Sequence, residues 1–155
     1  MNSISIFLSL LVGSQIIASF AVFSNTRRDV SHARRNSLTA KHRIVFQVNI
    51  EGQEQWQGVL ANVENLQKAF GPQSTQIEVV CFGKGIDMLL YSDAPLAERI
   101  GKDHTTGVTF AACGNTLRAR SLTRADLLPS ATTVDSGVAE IVRKQEAGWA
   151  YIKGG

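Results

Sequence analysis

The sequence is poor in the residues that announce a function. Its 155 residues hold two cysteines, three histidines, three prolines, two tryptophans and two tyrosines. Two cysteines are too few for a disulfide scaffold. Three scattered histidines are too few for a rich metal site. Three prolines and thirteen glycines exclude collagen-like and low-complexity chains. With 44% apolar and 19% charged residues, the chain is long and apolar enough to bury the core of one domain.

The body also lacks a basic excess. The net charge is +3, but residues 1–43 carry six basic residues (Arg27, Arg28, Arg34, Arg35, Lys41, Arg43) against Asp29 alone. Residues 44–155 carry ten basic and twelve acidic residues. A nucleic-acid-binding fold carries its basic footprint on the folded domain, so no nucleic-acid partner is expected.

What is present divides into three stretches. From Ile4 to Phe23 no residue is charged, which suits a signal peptide with its flanks or a marginal membrane span. Ser19-Phe20-Ala21 offers small residues at −3 and −1 of a cleavage site after Ala21, so residues 1–23 are expected to export the chain to the periplasm. The basic cluster after this run supports the alternative of a membrane anchor with a cytoplasmic domain. Membrane contact is expected through residues 1–23 only. Residues 24–41 read as a basic, solvated linker, and residues 42–155 as the folded domain.

That domain alternates strand and helix patterns. Ile44-Val45-Phe46-Gln47-Val48-Asn49 is a nearly continuous apolar strand, as expected when both faces of a sheet are covered. Trp56, Val59, Leu60, Val63, Leu66 and Phe70 recur at helical spacing, and Gly71-Pro72 ends the run. Ile77–Phe82 is a second strand, and Ile86–Tyr91 a short apolar turn. Asp93 caps a helix with Pro95 in its first turn and Leu96 and Ile100 inward. Val108–Ala112 is a third strand, and Cys113-Gly114-Asn115-Thr116 turns into a helix. Thr123-Arg124-Ala125-Asp126 has the form of a capping box. Thr132–Val134 is a short strand. Ser136 caps a last helix whose inner face is Val138, Ile141, Val142 and Gln145, and Trp149–Ile152 adds a terminal strand. This order predicts an α/β fold: a flavodoxin-like, doubly wound parallel sheet of four to five strands in a single domain, with strand order 2-1-3-4-5.

In such a sheet ligands bind beyond the carboxyl ends of the strands. Cys113 lies there and opens a helix, whose free N–H groups favour a thiolate. Gly114 gives the backbone room, and Arg118 and Arg120 add positive potential. A small buried apolar residue is the competing reading of Cys113. Cys81, inside an apolar strand, reads as core. With the second and third strands flanking the first, the two sulfurs stand too far apart for a disulfide.

Other motifs carry little. Gly83-Lys84-Gly85 lacks the third glycine of a dinucleotide fingerprint, and there is no Walker sequence. His32, His42 and His104 have no partner at ligand spacing, so no metal is expected. Ser136 has no histidine placed to activate it. Trp56 and Trp149 read as core, and the carboxylates as solvated charge. No cofactor is expected.

Several segments resemble the DsrE/DsrF-like sulfur-relay family. They are Ile44–Val48, Trp56, Asn62–Gln67, Glu78–Gly85, Ala112–Arg120, Leu122-Thr123, Asp126–Pro129, Ser136–Glu140, Gln145 and Gly148–Ile152. The resemblance spans about residues 42 to 153. It implies a flavodoxin-like fold, a homo-oligomer (trimer or hexamer), and a cysteine that carries sulfur as a persulfide between a donor and an acceptor protein. Cys113 matches the family cysteine. Gly114, Asn115 and Thr116 are then the residues expected to stabilise the anion. The expected function is a sulfur carrier or sulfurtransferase. Alternatives are a non-catalytic oligomeric binding module with a structural Cys113 and, by fold analogy alone, a nucleotide- or flavin-binding domain.

Overall fold

Five strands rich in branched and aromatic side chains line up in one parallel sheet. They are β1 His42–Val48, β2 Thr75–Cys81, β3 Thr109–Cys113, β4 Ala131–Val134 and β5 Ala150–Lys153. Four α-helices join them: α1 Gln53–Phe70, α2 Ala94–Thr105, α3 Gly114–Ala119 and α4 Gly137–Glu146. Three 3₁₀ segments, Pro72–Ser74, Gly83–Leu89 and Arg124–Asp126, fill the connections. This computed structural model describes residues 42–91 and 94–154. The expected leader, linker and Asp93 cap lie outside the described residues. Among the described residues no helix is long and apolar enough to cross a membrane.

The single α/β domain with a parallel, helix-flanked sheet is as expected. The strand order is not. The order is β4-β3-β2-β1-β5, rather than 2-1-3-4-5. Successive crossovers step from β1 through β4 in one direction, and only the last connection returns to the far side of β1. Right-handed crossovers in one direction put their helices on one face, and the reversed one puts its helix on the other. So α1 and α2 cover one face, while α4 lies on the opposite one.

The two faces are filled unequally. Under α1 and α2, Phe46, Val48, Leu60, Ile77, Val79, Ile86, Leu89, Ile100 and Phe110 form a large buried cluster. Under α4 the buried cluster is Val45, Val80, Ala111 and Ile141, edged by Phe82, Val134 and Trp149. The expected inner face of α4 is thus corrected. Only Ile141 of its four apolar-stripe residues is buried; Val138 is 58% exposed and Val142 47% exposed, and Gln145 is exposed. A helix can bury only the stripe that meets the sheet, and this sheet offers α4 a narrow strip. Phe70, at the end of α1, is also exposed and stacks on His42 at 4.0 Å.

Two carboxylates depart from the solvated reading. Glu78 on β2 faces α4 and is buried with Lys144 as its partner. Lys144 also lies 4.3 Å above the Trp149 ring, so Trp149 is a half-buried cation seat rather than a core residue. Asp103 on α2 is buried, and its Oδ2 has no hydrogen-bond partner.

Candidate functional site

The carboxyl ends of the strands form one row on the α4 face. In register, Phe82 follows β2, Cys113 ends β3 and Val134 ends β4. Side chains alternate along a strand, so Cys113 shares a face with Ala111 and points toward α4. The connection after β3 runs outward to β4 and the one after β4 runs back past β1 to β5, so the direction changes at the carboxyl ends of β3 and β4, where Cys113 stands.

Local sequence places the sulfur closely. Cys113 is the N-cap residue of α3, and its side chain makes no capping hydrogen bond. Gly114 follows because nothing larger fits: a Cβ there would lie 2.9 Å from the Val134 carbonyl oxygen and 3.3 Å from that of Asp135. Gly137, the first residue of α4, is also closely packed, though against side-chain atoms. A Cβ on it would lie 3.1 Å from the Phe82 ring and 3.2 Å from Cys113 Cβ. The absence of both side chains lets two helix starts close on one sulfur.

Burial pushes the Cys113 thiol up, but hydrogen-bond donors outweigh it. The donors are the Gly137 N–H, then the Thr116 hydroxyl and the Thr116 and Asn115 N–H groups, and together they hold the thiol below its ordinary value. The Thr116 hydroxyl accepts from the Gly83 N–H at 3.0 Å, which leaves its own proton free for the sulfur. The Asn115 N–H also reaches the Asp135 carbonyl at 3.2 Å. That bond stitches the start of α3 to the residue before the α4 cap, Ser136, whose Oγ accepts from the Ala139 N–H at 3.4 Å.

Of the residues expected from the sequence around the sulfur, Asn115 and Thr116 stand near enough for their donors to lower the thiol, and Gly114 packs against the Val134 and Asp135 carbonyls. Gly137 is the residue that sequence reading misses. Its signal was a glycine just after a capping serine, but only the tertiary fold brings it to Cys113. The arginines contribute less than expected. Arg118 donates to the Asn115 side chain, and Arg120 pairs with Asp87 at 2.6 Å.

Cys81 differs in every respect. It stands beside Ala112 on the neighbouring strand, so the expectation that β2 and β3 flank β1 is corrected. Both cysteines are free, for another reason: they are one step out of register and face opposite sides of the sheet. Burial pushes the Cys81 thiol up with no donor to offset it.

An open depression of about 340 Å³ beside the site is lined by Gly114, Arg118, Thr133 and Asp135, among others, but not by Cys113. Among the described residues no group of three potential ligands could hold a metal ion.

Comparison with known proteins places this fold. The DsrE/DsrF-like family profile matches residues 42–153. A solved structure of MTH1491, a protein of unknown function from Methanobacterium thermoautotrophicum, is 35% identical; the match covers 73% of this chain and 99% of that one, with a TM-score of 0.69. BT1422 from Bacteroides thetaiotaomicron, also of unknown function, is 12% identical over 74% of this chain and 97% of its own, with a TM-score of 0.56. The ychN protein of E. coli is 12% identical over 74% of this chain and 98% of its own, with a TM-score of 0.57. These last two share the fold. No curated protein matches. The chain belongs to the DsrE/DsrF-like family.

Proposed function

From membership of the DsrE/DsrF-like family and the setting of Cys113, we propose that this protein is a sulfur carrier that holds a persulfide on Cys113 and passes it to a partner thiol. Family membership supports a sulfur-relay-related role. The observation that carries the finer reading is the place of Cys113, a buried thiol at a strand-to-helix junction with the start of α4 packed against it, where neighbouring donors favour its charged form.

The chemistry follows from that setting. The Cys113 thiolate attacks the outer sulfur of a donor persulfide, R–S–SH. A Cys113–S bond forms, the donor S–S bond breaks, and the donor leaves as a thiolate. In release, an acceptor thiolate attacks the outer sulfur of the Cys113 persulfide, and Cys113 departs as a thiolate. One sulfur atom moves in each step, with no net redox change and no external oxidant. The Asn115, Thr116 and Gly137 donors stabilise Cys113 both as nucleophile and as leaving group, and a leaving thiol of low pKa departs faster.

Mass spectrometry after incubation with a persulfide donor tests this. The wild-type chain should gain the mass of one sulfur atom on the peptide holding Cys113, and Cys113→Ala should gain none. Uptake by Cys113→Ala would overturn the carrier reading and favour a binding module with a structural Cys113.

We also propose that the protein is a homo-oligomer, a trimer or hexamer, exported through residues 1–23. The exposed Val138 and Val142 on α4 support self-association. Light scattering that finds a monomer at micromolar concentration would overturn it. N-terminal sequencing of mature protein that finds Met1 intact would exclude cleavage after Ala21.

A further inference from the structure

We infer that Gly137 is a positioning residue for Cys113: its main-chain N–H, delivered from α4, ties the negative charge on the sulfur to how α4 sits on the sheet. The inference rests on the reading of Cys113 as the reactive thiol, and it adds a device that controls that thiol.

Two kinds of donor serve the sulfur. Asn115 and Thr116 belong to α3, the helix that Cys113 itself opens, so covalent geometry carries them along with the sulfur. Gly137 belongs to a different helix, reached only after β4. Its N–H is at the first helical position, where no intrahelical acceptor exists. It is therefore free to serve the sulfur, and it does so only while α4 keeps its place.

Little apolar packing keeps α4 there. Ile141 is its buried apolar side chain. Polar ties do the rest. Lys144 reaches down to Glu78 on β2 and across to Glu140. Arg143 joins Asp135 at 2.5 Å and Glu140 at 2.8 Å. At the helix start, a methyl group on Gly137 would lie 3.1 Å from the Phe82 ring and 3.2 Å from Cys113 Cβ, so α4 or these side chains would have to give by a few tenths of an ångström. A helix pinned by a few polar ties over a thin core can shift more readily than α1 over its large one.

The test titrates the thiol. Gly137→Ala crowds Phe82 and Cys113 at the start of α4 and should raise the midpoint of the pH-dependent thiolate absorbance. A second variant removes the donor without adding an atom beyond oxygen: glycolic acid in place of Gly137 turns the Ser136–Gly137 amide into an ester. That N–H makes no helical bond, and the Ser136 carbonyl that accepts from the Glu140 N–H at 2.9 Å remains, as a weaker ester acceptor; a wild-type circular dichroism spectrum is the control that α4 stays formed. The ester variant's thiolate midpoint, and the midpoint of its alkylation rate against pH, should rise by about one unit, leaving about tenfold less thiolate at neutral pH. An ester variant that titrates at the wild-type midpoint would overturn the inference. No sulfur donor enters this titration. A raised midpoint in a protein that takes up no persulfide would leave the inference standing and the carrier reading fallen. A wild-type midpoint with normal persulfide uptake would do the reverse.

Discussion

Cys81 and Cys113 sit on adjacent strands, one residue out of step, and that single step puts them in different chemical worlds. Cys81 faces the thick layer under α1 and α2, where nothing polar approaches its sulfur. Cys113 faces the thin layer under α4, where helix starts deliver N–H groups. A thick apolar layer makes a thiol inert by denying its anion any solvation. A thin layer that admits backbone amides can bury a sulfur and still favour its charge. The same contrast holds for the faces as a whole. The α1/α2 face supplies stability, and the α4 face trades apolar packing for a charged network around Glu78 and Lys144 and for the thiol of Cys113.

The sharpest test of this contrast is differential alkylation of the native protein. At neutral pH iodoacetamide should label Cys113 at least about a hundredfold faster than Cys81, since the thiolate is the reacting species. Equal rates, read by mass spectrometry of digested protein, would erase the distinction between the faces.

A smaller effect, on stability, compares the layers directly. Leu60 on α1 is fully buried against the sheet, and Ile141 is the buried apolar residue of α4. Leu60→Ala should cost about 3–5 kcal/mol, in the upper part of the range for large-to-small core changes. Ile141→Ala should cost about 2 kcal/mol, because its thin surroundings can relax into the space. Urea denaturation measures both, and equal costs would mean that the α4 face is packed as tightly as the other.

The smallest expected effect lies on the thick face. Burial, with Glu64 nearby, pushes the Asp103 carboxyl up to about 6, while Arg99 and Lys102 pull the other way. The unfolded value is about 3.9. The folded state therefore binds the proton first as pH falls, and stability rises between about pH 6 and pH 4. Above pH 6 the buried charge is a standing cost. Asp103→Asn should remove this pH dependence and gain about 1 kcal/mol at pH 7. Melting curves at pH 5 and 7 give the answer, and an Asp103→Asn variant with the wild-type pH slope would refute the assignment.

Much of this was legible in the residues. The helix stripe from Trp56 to Val63, the Gly71-Pro72 stop, the Thr123–Asp126 capping box and the Ser136 cap are local patterns, and each forms where the spacing puts it. So does Cys113 at the junction of strand and helix, because a strand end followed by Gly-Asn-Thr is itself a local signal. The parts that were not legible depend on which strand lies beside which. Strand order is set by the direction of each crossover, and Val-rich strands carry almost no record of their neighbours. The reading of Val138 and Val142 as inner residues failed for the same reason: periodicity finds an apolar stripe, but the width of the sheet strip beneath decides how much of it is covered.

The sequence by itself determined that this chain makes a parallel α/β domain and that one cysteine ends a strand at a helix start, because hydrophobic period, caps and glycine stops act within a few residues. Only the tertiary structure decided that Gly137 meets Cys113, that Glu78 has Lys144 as its counter-charge, and that Cys81 faces away. The first two are contacts between residues 24 and 66 positions apart in the chain, and they exist because the last crossover reverses and lays α4 across the opposite face of the sheet; the third follows from the register of β2 on β3.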